Sequence, residues 1–188
     1  NKKIAYVKFG DAPNDTFIEE LNKYTKVTQV NANNIETFKK ELANYNLVII
    51  GHHKSNESPW KSYKFSDKEL AWLQEISNLR TSNLILTVFA KPYALSDIAT
   101  FQNIDAVVVS YQNSKIAQKK TAEILFGAIP ASGKLPVSGS FEYRAGSGIK
   151  VSSLNRLGYS FPERVGLSSY ALQKVDKLVK DGLDSLMF

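Results

Sequence analysis

Histidine, lysine, tyrosine and asparagine side chains collect where three apolar runs of the sequence end. They are His52, His53, Lys54, Lys91, Tyr93, Tyr111 and Asn113, with Trp60 in the loop after the first run. Open α/β sheets bind ligands at the carboxyl ends of their strands, where such groups can donate and accept hydrogen bonds or stack on a ligand. The pattern therefore predicts substrate-facing or interface residues at one edge of a sheet.

The two adjacent histidines directly follow a predicted strand that ends at Gly51. Consecutive side chains at a strand end point in opposite directions, so we do not expect both to bind one metal ion. Two interpretations stay open for the pair: a structural or rim-lining role, and contact with a ligand or partner domain. The chain contains no cysteine, which excludes thiolate catalysis, disulfides and cysteine metal sites. The sequence predicts no cofactor and no metal.

Two short motifs resemble known catalytic signatures but do not fit them. Five residues separate Gly127 from Gly133, where a phosphate-binding P-loop needs four, and Leu135 stands where a hydroxyl should hold magnesium. Ser58 and Lys61 have the spacing of a Ser-x-x-Lys nucleophile, but they lie in a predicted loop and no Lys-Thr-Gly follows. We interpret both segments as loops.

No carboxylate pair can be selected for glycoside hydrolysis. Asp105 opens a predicted strand and so lies at the amino edge of the sheet, away from the expected ligand site. Asp11, Glu57 and Glu142 lie in loops, and their spacing does not mark any of them as an acid. We therefore predict no catalytic residue within this chain.

Apolar runs alternate with amphipathic segments through the first two thirds of the chain. Strands are predicted at 4–9, 26–30, 47–51, 84–89 and 106–110, and helices at 16–24, 35–42, 66–76, 95–101 and 114–126. The expected helix signals are Asn33 as an N-cap, Ser66 with Glu69 as a capping box, and Gly127 as a C-terminal cap. Helix 114–126 is expected to turn Ile116 and Ala122 toward the sheet.

The alternation predicts an α/β fold, a doubly wound, mainly parallel sheet with helices on both faces. From Gly127 onward, glycine and proline predict an irregular tail with one short strand at 135–138. A last helix begins at Ser168 or Ser169, and its apolar spacing extends to Leu186. This helix is a compositionally separate piece.

Composition limits the class of partner. Of 188 residues, 43% are hydrophobic, which is enough for a core. The net charge of +6 comes from Lys and Arg that never exceed two in a row, so we expect no nucleic-acid partner. No window approaches the ~18 apolar residues of a spanning helix, and we expect neither a membrane span nor a signal peptide.

Residues 122–137, AEILFGAIPASGKLPV, resemble the end of the C-terminal α/β domain of glycoside hydrolase family 3. In that family a helix closes on a Leu-Phe-Gly turn and Ser-Gly-Lys-Leu-Pro-Val leads into the final strand. The resemblance covers residues 1–160. Residues 162–167, PERVGL, resemble the start of a class C β-lactamase-like serine hydrolase domain, so residues 161–188 would be a linker and the first helix of that domain.

This order is similar to fused bacterial β-N-acetylglucosaminidases of the Bacteroidetes group. The resemblance implies a retaining exo-β-glycosidase, with its nucleophile on a preceding (β/α)8 barrel and a carbohydrate substrate. No Glu here aligns with the acid/base residue of the β-glucosidase branch, which favours the N-acetylglucosaminidase branch and an accessory domain that is inactive alone. Placement in the periplasm or cell envelope is implied by the resemblance only.

Two other functions stay open for the same residues. One is a free-standing, flavodoxin-like module that binds a small ligand at the strand ends. The other is a pure interaction domain without sugar dependence. Tight stoichiometric binding of a ligand by the chain alone would favour the first, and a large exposed apolar flank would favour packing on a barrel.

Overall fold

The computed structural model describes residues 3–31, 33–58, 60–155 and 159–185. The chain divides into two units, residues 1–156 and 157–188. The first unit contains one parallel sheet. Its strands are β1 (Ile4–Gly10), β2 (Val27–Gln29), β3 (Leu47–His53), β4 (Asn83–Phe89) and β5 (Ala106–Val109).

The strand order is β2-β1-β3-β4-β5, and every pairing is parallel. The helices of this unit are α1 (Asp15–Asn22), α2 (Ile35–Leu42), α3 (Asp67–Ser77) and α4 (Lys115–Leu125). The chain moves outward from β1 to β2 and then returns to the other side of β1 at β3. This reversal makes the β1/β3 boundary the switch point of the sheet, where such folds bind ligands. The predicted doubly wound α/β fold is confirmed.

Alternating side chains of the strands enter two cores. In β1, Ala5 and Val7 pack with α2 and α3 on one face, whereas Ile4 and Tyr6 pack with α1 and α4 on the other. Both sets are buried, which explains the nearly continuous apolar runs that predicted the strands. His52 and His53 lie inside β3, two residues beyond the predicted end, because they pair in register with Val88 and Phe89 of β4.

Side-chain caps begin three helices of the sheet unit. Ser66 accepts the backbone N–H of Glu69, and Glu69 accepts that of Ser66, so the predicted capping box is confirmed. Ser114 caps α4 in the same way through Ala117. The cap of α2 is Asn34, which accepts from Thr37, and the predicted cap at Asn33 is wrong by one residue.

Ser66 provides a direct test of this local stabilisation. We expect Ser66→Ala to lower the free energy of unfolding by about 1 kcal/mol, because the Glu69 N–H loses its partner, and Ser66→Gly to lower it by only a few tenths. Urea unfolding followed by circular dichroism measures both variants. Equal losses for alanine and glycine would contradict a capping role.

Three further local predictions are wrong. The segment predicted as a helix at 95–101 is a 3₁₀ helix at Pro92–Asp97. Ile116 is 74% exposed, because α4 turns the side that carries Thr121 and Ala122 to the core; of the two residues predicted to face the sheet, only Ala122 does so. No strand forms at 135–138, where the backbone of Leu135 bonds to Ser147 and Gly146 in an irregular loop.

The segment 127–154 closes on itself. The N–H of Leu154 donates to the carbonyl of Gly127 at 2.8 Å, and Ala131 pairs with Val151 in an isolated antiparallel bridge. Gly127 has φ +71°, and a Cβ there would lie 2.6 Å from the Leu154 side chain. The predicted C-terminal cap is confirmed, and the same glycine permits the close approach of Leu154.

The second unit contains a 3₁₀ helix (Pro162–Val165) and α5 (Ser169–Asp184). Ser168 caps α5 by accepting from Ala171, and Glu163 accepts the N–H of Ser169. Hydrogen bonds from Ser169 lower the pKa of Glu163. One side of α5 carries Leu172, Val175, Leu178, Val179 and Leu183. Leu186, which was predicted to continue this pattern, lies outside the described residues.

Candidate functional site

Close backbone packing defines the switch point at the carboxyl ends of β1 and β3. Gly10 ends β1 with φ +83°, and a Cβ added there would lie 1.9 Å from the carbonyl oxygen of His53. The Gly10 N–H donates to Glu69 on α3, and that carboxylate also accepts from Ser66. Burial alone would raise the pKa of Glu69, but these hydrogen bonds outweigh it and lower the pKa. Glu69 is therefore a structural anion.

His53 is fully buried beneath this edge and is held at both ring nitrogens. Its Nδ1 lies 2.7 Å from Asn113 Oδ1, and its Nε2 lies 2.7 Å from the Tyr6 hydroxyl. The Asn113 Nδ2 donates to the Pro13 carbonyl at 2.8 Å, so Oδ1 of Asn113 must accept. His53 therefore carries its proton on Nδ1, and Nε2 accepts the hydroxyl proton of Tyr6.

Burial keeps both groups in this network neutral. Desolvation lowers the pKa of His53 to about 4, with a smaller contribution from the Lys8 charge. Desolvation also raises the pKa of Tyr6 far above its ordinary value. The network joins β1, β3, the loop before α1 and the start of α4 through neutral hydrogen bonds, so it orders the strand ends without exposing a titrating group.

His52 lies on the opposite face of β3, as predicted for adjacent strand residues. Its ring stacks on Phe65 at 3.7 Å between centroids, and Nε2 donates to the Tyr63 carbonyl at 3.1 Å. Nδ1 has no hydrogen-bond partner among the described residues. Burial lowers the pKa of His52, which favours the neutral ring. His52 thus fixes the backbone of the loop that carries Tyr63.

A cavity of about 220 Å³ lies at the carboxyl edge, where its lining residues follow β3, β4 and β5. It is lined by Lys54, Ser55, Asn56, Ser58, Lys61, Tyr63, Ala90, Lys91 and Tyr111. The Lys91 ammonium lies 5.7 Å from the centre of the Tyr63 ring, and Lys54 Nζ lies 3.7 Å from Asp11. The wall is therefore cationic and aromatic.

Tyr111 contributes to this wall from an uncommon backbone conformation. Its φ is +63°, in the left-handed region that costs a non-glycine residue ~1–2 kcal/mol. Its hydroxyl donates to the Lys134 carbonyl at 3.3 Å. A glycine would adopt this backbone conformation without that cost, but it has no ring. The surrounding structure therefore holds Tyr111 in a strained conformation in which its ring borders the cavity.

The structure brings together some of the sequence-predicted residues and separates others. Lys54, Lys91 and Tyr111 line the cavity, whereas His52 and His53 lie buried and Asn113 binds His53. Trp60 is 92% exposed and Tyr93 is 46% exposed, and neither lines the cavity. Their contact with a substrate stays a prediction.

Three important residues were missed by the sequence analysis. Tyr63 lines the cavity, Tyr6 completes the His53 network, and Glu69 binds Gly10 in addition to its capping role. A polar hydroxyl inside the apolar run of β1 was the available signal for Tyr6, since a buried tyrosine needs a hydrogen-bond partner. No sequence signal singles out Tyr63.

A second cavity, of about 280 Å³, lies at the amino edge of the sheet among polar residues that include Arg80, Asn103 and Asp105. The Asp105 carboxylate accepts the N–H of Leu84 at 2.7 Å and so joins the starts of β4 and β5. The predicted position of Asp105 at the amino edge is confirmed.

Neither a metal-binding cluster nor a membrane-spanning helix is present among the described residues. No group of three or more His, Asp or Glu side chains is arranged to hold a metal ion within residues 3–31, 33–58, 60–155 and 159–185. Within the same ranges, none of the helices has the length and apolar character that crossing a membrane requires.

A family model described as the glycosyl hydrolase family 3 C-terminal domain matches residues 5–169. The chain belongs to this family. The earlier resemblance of residues 122–137 is thereby confirmed at the level of the family. No curated protein matches the chain significantly.

Solved structures similar to this family 3 domain include a β-glucosidase from Listeria innocua in complex with isofagomine, with a TM-score of 0.58 and 19% identity. A mutant of the Listeria innocua β-glucosidase in complex with laminaribiose gives a TM-score of 0.60 and 19% identity. Each match covers 73% of this chain and 23% of the other, so the chain spans about a quarter of those enzymes. At this identity the likeness shows the fold.

Proposed function

We propose that this family 3 domain is the accessory, non-catalytic domain of a retaining exo-β-glycosidase that acts on β-linked N-acetylglucosamine. The observation that carries the proposal is the cavity at the carboxyl edge, which combines two tyrosines with lysine and amide groups but has no Asp or Glu among its described lining residues. Such a wall can orient a sugar by stacking and hydrogen bonding, and it supplies no acid/base carboxylate.

The remaining chemistry belongs to a (β/α)8 barrel elsewhere in the parent protein. We place the barrel against the carboxyl edge, since the exposed rings of Trp60 and Tyr93 follow β3 and β4 there. We further propose a serine-hydrolase-like domain after residue 160 and a location in the periplasm or cell envelope. The proposals of this further domain and of this location rest on the resemblance of residues 162–167 and on the order of domains that it implies.

Nitrophenol release tests the assignment. The 188-residue chain and the parent protein with its barrel are each incubated with the β-N-acetylglucosaminide and the β-glucoside of nitrophenol. We expect turnover by the parent alone, with the N-acetyl sugar preferred. Turnover by the chain alone would overturn the accessory role, and preference for the glucoside would overturn the substrate.

Trp60 gives a sharper test within the parent enzyme. We expect Trp60→Ala to raise KM several-fold and leave kcat within about twofold. Loss of a stacking face weakens the binding of the substrate equally in the ground state and in the transition state. Lys40→Ala is the control, since Lys40 is also exposed but lies near the end of α2, where the chain returns to the amino edge of the sheet. Unchanged KM in the Trp60 variant would exclude sugar contact by this ring.

The same cavity supports one alternative, a free-standing flavodoxin-like module for a small ligand. This function requires tight, stoichiometric binding by the 188-residue chain without a barrel. Equilibrium dialysis against a mixture of small metabolites, followed by mass spectrometry, distinguishes it from the accessory role, for which such binding is weak.

A further inference from the structure

Cationic side chains dominate the cavity at the carboxyl edge. Lys54, Lys61 and Lys91 lie among its nine lining residues, and none of those nine is acidic. Three positive charges around about 220 Å³ repel one another unless an anion lies between or beside them. The lining is therefore cationic and suited to an anionic group.

Carboxylates outside the lining form long ion pairs with two of the three lysines. Lys54 Nζ lies 3.7 Å from Asp11, and Lys61 Nζ lies 3.7 Å from Glu57. Both carboxylate side chains are largely exposed, at 77% and 83%, so each ion pair is worth little in water. The Lys54 side chain is only 13% exposed, so its aliphatic part is buried and its ammonium is held at the cavity wall.

The size and the remaining wall define the occupant. The volume of this cavity lies below the ~300–1,000 Å³ of pockets for drug-sized ligands. A cavity of this smaller size can hold one monosaccharide unit. Tyr63 and Tyr111 border the cavity with aromatic rings, and Ser55, Asn56 and Ser58 add groups that can bind hydroxyls. A sugar ring with hydroxyl groups and one anionic substituent matches the lysines, the volume, and the aromatic and polar wall of the cavity.

We propose that this cavity binds an acidic monosaccharide unit, a sugar that carries a carboxylate or phosphate, with Lys54 and Lys91 contacting the anion. The inference rests on the proposed glycosidase function and deepens it, because it assigns an acidic group to the glycan that this domain contacts. The lysines select the charge, and the tyrosines and small polar side chains contact the ring.

Binding to the 188-residue chain tests the assignment without any turnover. The chain is titrated with glucuronate, glucose 6-phosphate, glucose and inorganic phosphate, and binding is followed by isothermal calorimetry and by heteronuclear NMR shifts. We expect at least one sugar acid to bind with a Kd on the order of 1 mM, at least tenfold more tightly than glucose or inorganic phosphate. The binding weakens as salt is raised.

Charge-removing variants connect the binding to this cavity. Lys54→Met and Lys91→Met keep side-chain length and are each expected to weaken binding of the sugar acid at least fivefold, while circular dichroism reports an intact fold. Lys40→Met on α2 is the matched control, since Lys40 is exposed and lies outside the lining. Unchanged binding in both cavity variants would overturn the assignment.

The other outcomes separate this inference from the proposed function. Equal binding of glucose and the sugar acids, or equal binding of inorganic phosphate, would overturn the acidic-sugar assignment. Absence of binding by all four probes would overturn it as well, and nitrophenol release by the parent enzyme would still report on the glycosidase function. Sugar-acid binding together with an inactive parent would leave the site in place and remove the glycosidase.

Discussion

Gly10→Ala is expected to lower the free energy of unfolding by about 2–5 kcal/mol. The left-handed φ of +83° costs an alanine ~1–2 kcal/mol, and the added Cβ would lie 1.9 Å from the carbonyl oxygen of His53, a backbone atom that cannot move alone. Relief of the overlap requires β1 and β3 to separate locally, at a further ~1–3 kcal/mol. This loss is severe, because the total free energy of unfolding of a native protein is only ~5–15 kcal/mol.

Urea unfolding measures the effect through tryptophan fluorescence. Trp72 packs on Phe38 at 5.0 Å between ring centroids, so it reports on the unit that contains the sheet. Gly133→Ala is the matched control, because a Cβ at that position meets nothing within 4 Å. A loss for Gly10→Ala no larger than that for Gly133→Ala would show that β1 and β3 are less closely packed than the structure describes.

Acid is expected to destabilise the sheet unit through His53. The ordinary pKa of 6.5 applies to the unfolded chain, whereas burial lowers the pKa of the folded state to about 4. Between these values the unfolded chain binds a proton that the folded chain does not, so stability falls as pH falls. The contribution of His53 is fully present above pH 6.5, and about 3 kcal/mol of it is lost by pH 4.

His53→Gln isolates this contribution. Free energies of unfolding are measured for both proteins between pH 7 and pH 4, and the difference between the two curves is plotted. We expect its slope to approach ~1.4 kcal/mol per pH unit within the window. Other groups, including His52 with its lowered pKa, contribute to both curves and cancel to first order. A flat difference would show that His53 is accessible to protons in the folded chain.

The fold could be predicted because its signals are local and repeated. Apolar runs of strand length alternate with helices whose starts carry Ser66 or Ser114, and such an alternation permits few topologies. The predictions of local structure that are wrong lie where contacts between residues far apart in the sequence determine the backbone conformation. The backbone of Leu135 bonds to Ser147 rather than to a neighbouring strand, and β3 extends to His53 because β4 continues beside it.

The candidate site could be predicted only in part for the same reason. Lysines and tyrosines after consecutive strands indicated the edge, since the carboxyl ends of parallel strands meet there. Burial of His53 depends on Tyr6 and Asn113, which lie 47 and 60 residues away along the chain. Composition and spacing contain no information on contacts at that separation.

The closed segment 127–154 has a consequence for how this domain can vary. Its two ends meet through the Gly127 to Leu154 hydrogen bond, and its middle is anchored to the rest of the unit where Tyr143 packs on Phe101. Gly146 lies within it, and a Cβ there meets nothing within 4 Å. Doubling the length of a flexible loop costs only ~0.6 kcal/mol in closure entropy. New peptide can therefore be inserted at Gly146 in evolution or engineering while the strand ends keep their positions.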